Sequence, residues 1–327
     1  MVRTPGFHPG NRSSILLWAA QRKPTQLSGF FHTFEIMINI KNYLSLIKFS
    51  HTIFAMPFAL IGFFLGTTHS NDSLNWELLG LVVLCMIFAR SAAMAFNRYV
   101  DRDIDTANPR TAEIREIPNG AIKAKSAFFF VITNCLLFIL TTWLINPLCF
   151  YLSPIALAVI LGYSYTKRFT ALCHLVLGLA LALAPLGAYL TVTAEFALLP
   201  LFFSIAVLFW VGGFDIIYSL QDESFDKTQN LHSVPVRIGK KQALQLAKVF
   251  HLITFFALLY PATAYDFGKF YWIGFCIFSA LLFYQHSLVK HDDLSKINLA
   301  FFTTNGIASI LFGIFVIIDF LRQIYSI

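Results

Sequence analysis

Charge is what this sequence has least of: only 13% of its 327 residues are Asp, Glu, Lys or Arg, about half the share of an ordinary soluble domain. Because 57% of the residues are hydrophobic and 16% aromatic, a water-soluble globule and a disordered chain are both excluded. Cysteine is scarce as well. Cys85, Cys135, Cys149, Cys173 and Cys276 lie in or at the ends of apolar runs, with no C-x-x-C pair and no His at ligand spacing. Neither a disulfide framework nor a zinc site is implied, and the five are expected as small buried apolar side chains. The ten-residue alternation of an outer-membrane barrel is missing too. What remains is an all-α, polytopic membrane protein.

A bilayer crossing needs roughly 20 apolar residues. Nine spans are expected, at 48–68, 76–96, 127–146, 148–163, 171–193, 197–219, 248–265, 268–289 and 299–321, forming a bundle. Two long polar segments, 97–126 and 220–247, separate them, and every other connection is brief. With the N-terminus inside, 21 of the 24 Lys and Arg fall on the inner side, Lys269 and Arg322 fall outside, and Arg90 lies within the second span. That asymmetry is the positive-inside pattern. It accounts for the net charge of +7 without a nucleic-acid partner and turns both long polar segments to the inner compartment.

Residues 1–36 carry Arg3, Arg12, Arg22 and Lys23 and no acid before Glu35. The stretch is compatible with an organellar transit peptide, or with an unstructured leader or misassigned start preceding Met37. Residues 1–40 are therefore set aside as a leader, and 41–327 are expected to form the membrane domain.

The chemistry-bearing residues cluster where the second span ends. Asn97, Asp101 and Asp105 recur every four residues, so on a continued helix their oxygen-bearing side chains share one face. Carboxylates stacked in this way repel one another, and a divalent cation between them relieves the repulsion. Hard oxygen donors point to Mg²⁺. The sixth span ends in a second such element: Asp222 and Asp226 are again four apart, and Asp215 and Tyr218 precede Asp222 by seven and four. Both elements face the same compartment. Magnesium held by one or two carboxylates completes its shell with water and phosphate oxygens, so two acidic faces across one cavity suit a diphosphate. The adjoining bilayer suits a long apolar tail, and together these features suggest a polyprenyl diphosphate.

A leaving diphosphate needs its charge neutralised, and Lys167, Arg168, Arg110 and Arg115 are the candidates. Arg90 lies seven residues before Asn97, deeper in the bundle. A charge there costs about 2.5–3.5 kcal/mol unless it faces a cavity or partner, so Arg90 is expected either to pair with an acid or to bind the carboxylate of an aromatic acceptor. Asp215 follows the same logic as a base or acceptor contact. His286, His291, Asp292 and Asp293 are expected as a solvated loop, and His174 and His251 as packed residues alone on apolar helices. Pro57, Pro154, Pro185 and Pro261 mark bends.

On these residues the sequence resembles the UbiA superfamily of intramembrane aromatic prenyltransferases, most closely its 4-hydroxybenzoate polyprenyltransferase branch. The resemblance runs over about 41–322 and rests on Asn97-x-x-x-Asp101-x-x-x-Asp105, on Asp215 to Asp226, and on Tyr163 to Arg168. It implies a nine-helix bundle around a central cavity, open sideways to lipid. It also implies one Mg²⁺ on Asn97, Asp101 and Asp105, a second on Asp222 and Asp226, and diphosphate oxygens on Lys167 and Arg168. Arg115 matches the family's R-P-L-P-x-G stretch, but here the stretch reads Arg115-Glu116-Ile117-Pro118-Asn119-Gly120.

The implied reaction joins a polyprenyl group to the ring carbon of a 4-hydroxybenzoate-like acid in quinone synthesis. Asp101, Asp105, Asp222, Asp226, Asp215 and Tyr218 are its catalytic candidates, and Arg90 and Asn97 its acceptor contacts. Lys48-Phe49-Ser50-His51-Thr52 resembles instead the dihydroxynaphthoate polyprenyltransferases of menaquinone synthesis. A haem farnesyltransferase and a lipid-diphosphate carrier are the remaining alternatives; inverted repeats with broken helices would favour the carrier. The expected location is a bacterial or mitochondrial inner membrane, with the site facing cytoplasm or matrix.

Overall fold

The computed structural model describes residues 40–48, 52–70 and 73–325. The leader up to residue 39 and the stretch Phe49-Ser50-His51 lie outside the described residues. The chain divides into a unit ending at Ser45, whose described part is helical, and a unit Leu46–Ile327 that holds the whole bundle.

In chain order the bundle contains α1 Thr52–Ser70, α2 Trp76–Val100, α3 Arg102–Ala107, α4 Ala124–Ile145, α5 Pro147–Thr166, α6 Cys173–Thr193, α7 Leu198–Ser219, α8 Glu223–Thr228, α9 Val234–Ala264, α10 Lys269–Leu288 and α11 Asn305–Ile324. Seven stretches of these helices are long and apolar enough to cross a membrane. α1 and α10, of 19 and 20 residues, lie at the first and eighth expected spans, and the all-helical membrane class is as expected, but α9 starts at Val234, well before the expected 248.

Local chemistry sets several boundaries. The short fourth span is in fact a 20-residue helix, because Asn146 caps it by accepting the Cys149 N–H at 2.8 Å and Pro147 occupies its first turn. Such a cap satisfies one of the orphan donors of a helix start, and proline loses no hydrogen bond there. The polar segment 220–247 is largely helical and not a loop: α8 and the first turns of α9 run through it. α9 is 31 residues long and kinks at Gly239, whose φ of +79° is a left-handed value that costs glycine nothing. A hydropathy window registers only the apolar part of such a helix.

Packing is closest around α6. Its Gly178 meets α7 so tightly that a Cβ there would lie 2.2 Å from the Leu208 carbonyl oxygen. Gly62 of α1 would bring a Cβ 2.0 Å from the Pro185 carbonyl. Small residues at such crossings let helix backbones approach where no hydrophobic drive acts between helices in lipid. The core they frame is aromatic: Trp210 lies 5.3 Å from Phe58 and 5.6 Å from Phe278 between ring centroids. Outside, Trp143 and Tyr151 are 62% and 73% exposed, with Leu136, Leu140, Leu144 and Ile155 beside them on α4 and α5. An apolar face of that extent is unfavourable in water and at rest in acyl chains.

Between α2, α4, α5 and α6 runs a slot of about 280 Å³. On α6 its lining extends from Leu177 to Thr191 and on α5 from Cys149 to Tyr163, a depth of about 21 Å at 1.5 Å per residue. Arg90 of α2 lines this largely apolar channel, with Thr142, Ser153, Tyr163 and Thr191 its other polar residues. The slot is walled by Ala89, Ala93, Ala156, Ala180 and Ala184, whose small side chains leave its volume open. Of the cysteines, Cys149 and Cys173 are buried as expected, Cys85 and Cys135 are half-buried, and Cys276 is exposed on the face of α10 that also carries Trp272 and Ile273.

Candidate active site

At one end of the bundle the two acidic elements have the same backbone design. α2 stops at Val100, Asp101 takes φ −88° and ψ 6°, and the six-residue α3 follows. α7 stops at Ser219, a single 3₁₀ turn intervenes, Asp222 takes φ −99° and ψ 1°, and the six-residue α8 follows. Both aspartates thus sit in the sparsely populated bridge region, where site residues are frequent. The helix does not continue unbroken through the first element as the spacing suggests. The i to i+4 ladder nevertheless persists, Asp101 N–H to Asn97 and Asp105 N–H to Asp101 at 2.9 and 2.8 Å, so the three side chains keep their shared face. The last aspartate of each element is turned inward: Asp105 is 4% and Asp226 0% exposed.

Basic residues from two connections lock the two elements together. Lys167 and Arg168 are consecutive at the end of α5. The Lys167 ammonium lies 2.7 Å from an Asp226 oxygen, while Arg168 reaches Asp101 at 3.3 Å and the Val100 carbonyl at 2.7 Å. Two neighbouring residues therefore touch both acidic elements. Arg110, in the connection after α3, crosses to the other element and grips Asp222 with two bonds of 2.6 and 3.0 Å, a bidentate geometry only guanidinium offers. It also donates to the Tyr218 hydroxyl at 3.2 Å. Arg115 pairs with Asp105. Asn97 donates its amide to Asp101 at 2.9 Å. The connection that carries both arginines is held by its own hydrogen bonds, including Thr111 Oγ1 to the Asp105 carbonyl at 2.9 Å.

Electrostatics at this end are crowded. Burial, reinforced by Asp105, pushes the Asp101 carboxyl above the usual range against the pull of Arg168, Arg115 and Lys167. Burial works against the Arg110 charge, yet Asp222 and Tyr218 outweigh it and raise its pKa. Lys48 is driven the other way, to about 8, by burial and by the cations Arg98, Arg115 and Arg110. In the sequence the buried Arg98 reads as one more inner-side cation, and Lys48 stands out only as part of the Lys48-Phe49-Ser50-His51-Thr52 stretch.

No group of three or more His, Cys, Asp or Glu among the described residues is gathered tightly enough to hold a metal ion as it stands; the acids are tied to bases instead. The donor set still fits a hard divalent cation. Carboxylate and amide oxygens are the ligands Mg²⁺ prefers, and the buried Asp105 Oδ2 and Asp226 Oδ2 have no hydrogen-bond partner, an expensive condition that a cation would relieve.

Asp215 departs from the acidic stripe. His174 Nδ1 lies 2.7 Å from Asp215 Oδ2, and the other ring nitrogen of His174 accepts the Val234 N–H at 3.3 Å. Nδ1 is then the nitrogen that carries the proton and donates to the aspartate. His174 is therefore not alone on its helix, and it ties α6, α7 and α9 together. His251 is not alone either: it meets His286 of α10 at 2.8 Å and the Trp210 carbonyl at 3.2 Å. His286 thus leaves the connecting loop, in which His291, Asp292 and Asp293 are exposed as expected. Arg90 stands away from the acidic elements, on the wall of the slot.

A family model described as the UbiA prenyltransferase family matches residues 55–307. The chain belongs to that family. UbiA members of known structure share the fold: a UbiA homologue from Aeropyrum pernix K1 superposes with a TM-score of 0.75 at 29% identity, over 83% of this chain and 98% of that one. A UbiA homologue from Archaeoglobus fulgidus bound to GPP and Mg²⁺ gives 0.68 at 23% identity, over 86% and 99%. Among curated relatives, the 4-hydroxybenzoate octaprenyltransferase of Vibrio parahaemolyticus is 28% identical over 240 residues, 72% of this chain and 83% of its own. That of Burkholderia ambifaria is 27% identical over 244 residues, 75% and 83%. The protein is accordingly an integral membrane prenyltransferase of the UbiA family.

Proposed function

We propose that this UbiA-family enzyme transfers a polyprenyl group from its diphosphate to the ring carbon of a 4-hydroxybenzoate-like acid in quinone synthesis, at the inner face of a bacterial or mitochondrial inner membrane. The observation that carries this reading is the pairing of two acidic elements by interleaved cations above an apolar slot. Ala93 and Tyr163 of the slot each lie one helical turn from Asn97 and Lys167, so a diphosphate among the charges leaves its tail facing the channel. The curated relatives, named for 4-hydroxybenzoate, favour that acceptor over dihydroxynaphthoate.

Asn97, Asp101 and Asp105 would hold one Mg²⁺ and Asp222 with Asp226 another. Bound there, the ions would supply charge neutralisation for the departing diphosphate. Lys167, Arg168, Arg110 and Arg115 would exchange their carboxylate partners for diphosphate oxygens as the acids turn to the metal, which keeps every buried charge paired. The allylic C–O bond then breaks with its electron pair leaving on the diphosphate. The electron-rich ring carbon attacks the cation and loses its proton. Arg90 holds the acceptor carboxylate in the slot, and Asp215, oriented by His174, is the group we assign to receive that proton.

Membranes incubated with Mg²⁺, a prenyl diphosphate and a panel of aromatic acids should yield a C-prenylated 4-hydroxybenzoate by mass. Product from dihydroxynaphthoate alone would move the enzyme to the menaquinone branch, and no product from any acid would refute the reading.

Lys48 supplies a prediction in pH. Burial and the crowding of Arg98, Arg115 and Arg110 drive its pKa to about 8, so we assign Lys48 as a further cation toward the diphosphate, whose charge would restore the proton. Relative to Lys48→Arg, wild-type KM for the prenyl diphosphate should therefore be flat below pH 8. Above it KM should rise, with a slope approaching tenfold per unit. A parallel rise in both enzymes would remove Lys48 from the diphosphate site.

A further inference from the structure

The last long helix begins with an irregularity. Residues Leu299–Thr304 form a π-helical turn before α11, a rare element that concentrates at functional sites. A π turn holds about one residue more than an α turn, which offsets its side chains by about 100° from α-helical register, so this turn decides which side chains of 299–304 face the bundle. It is held open by design. Asn305 donates its amide to the Ala300 and Phe301 carbonyls at 3.2 and 2.9 Å, and Thr304 Oγ1 donates to the Leu299 carbonyl at 3.1 Å. The Asn305 carbonyl in turn accepts Trp210 Nε1–H at 3.0 Å, fixing the turn to α7.

The turn presents two rings to Tyr218, Phe302 edge-on at 5.9 Å and, closer, Phe301. The Phe301 ring lies 4.2 Å from that of Tyr218 at 31°, and 5.2 Å edge-on from Phe214. Tyr218 is the residue whose hydroxyl and ring face Arg110, 3.2 and 5.7 Å away, while Arg110 grips Asp222. Phe301 is therefore the second layer of an aromatic wall that begins at the diphosphate cations. It is only half-buried, and nothing in its sequence context, one Phe among 36, distinguishes it.

We infer that the π turn at 299–304 exists to seat Phe301 against Tyr218 as the wall beside the ionising allylic carbon, and that this wall determines whether the cation is captured by the aromatic acceptor or by water. The inference rests on the prenyltransfer reading above. In the productive course a C–C bond forms to the acceptor ring, and the ring proton leaves. In the wasteful course the oxygen of a water molecule forms a C–O bond and gives its proton to solvent, so prenol and diphosphate result without C-prenylation. Ring faces stabilise a cation and exclude water from it, whereas an aliphatic side chain only fills space. Asn305 acts through Phe301 and is a positioning residue.

The experiment measures, for one membrane preparation, total diphosphate released, C-prenylated acid and free prenol. Phe301→Leu should raise the prenol share of turnover about fivefold to tenfold, with diphosphate release slowed but still measurable. Phe301→Tyr should restore the wild-type share. Asn305→Ala should shift the share in the same direction by less. An unchanged prenol share in Phe301→Leu, with activity retained, would overturn the inference while leaving the prenyltransfer reading intact. A loss of all diphosphate release that Phe301→Tyr fails to restore would overturn it too, because a partition role needs ionisation to continue. Wild-type protein that releases no diphosphate with any acid would overturn both.

Discussion

Asp101→Asn and Asp222→Asn are each expected to lower turnover at saturating substrates by on the order of 10²–10³-fold, the loss typical of removing one preorganised electrostatic contact to a developing charge. The protein should insert and solubilise normally. Neither residue is fully buried, and each is the more exposed member of its element, whereas Asp105 and Asp226 lie inside. Asn keeps the size and one oxygen but carries no charge, so the effect reports on charge and not on packing. Because both aspartates occupy the same bridge-region break between a long helix and a six-residue one, the two losses should be similar. The double variant should fall short of their product, since groups that act on one diphosphate are not additive. Equal turnover in either single variant, measured by prenylated product per mole of solubilised protein, would separate that element from the reaction.

Lys167→Ala has the second large consequence, and it is felt in the fold before the chemistry. Asp226 is wholly buried and its ammonium partner is 2.7 Å away. Asp226 is then left without its cation, but Lys167 is itself 34% exposed and solvent reaches the site, so the cost should be about 1–3 kcal/mol. Arg168→Ala leaves Asp101, which is partly exposed and retains the Asn97 amide, so its cost should be within about 1 kcal/mol. Without Mg²⁺ the thermal midpoint of Lys167→Ala in detergent should fall well below that of Arg168→Ala. Added Mg²⁺ should recover more of the loss in Lys167→Ala than in wild type, because the freed carboxylate is then a better ligand. Similar midpoints for the two variants would mean that the Lys167–Asp226 pair does not bear on stability.

How far this arrangement was legible depends on the range of each interaction. Span positions and the two acidic elements are local properties: a 20-residue hydropathy window and a four-residue spacing suffice to find them. The backbone breaks at Asp101 and Asp222 left no local mark, since neither glycine nor proline accompanies them. The pairing of Arg110 with Asp222 joins residues 112 apart in sequence, and that of His174 with Asp215 joins residues 41 apart. Both arginine and histidine were visible, but their partners depend on how the helices pack. That Lys48 and Arg98 lie beside the other site cations is not legible locally for the same reason. The π turn and Phe301 were hidden by composition, because in a chain so rich in phenylalanine no single ring stands out. The first half of α9 is not legible for a simpler cause. Its helix is polar until Lys248, and hydropathy does not register helices that lie outside the apolar zone.

The most direct measurement is the stoichiometry of Mn²⁺, used in place of Mg²⁺, bound to the solubilised full-length protein with a non-hydrolysable prenyl diphosphate analogue present. Convergence of both elements on one diphosphate requires two ions per wild-type chain, about one in Asp101→Asn and about one in Asp222→Asn. A count that either substitution leaves unchanged would contradict it.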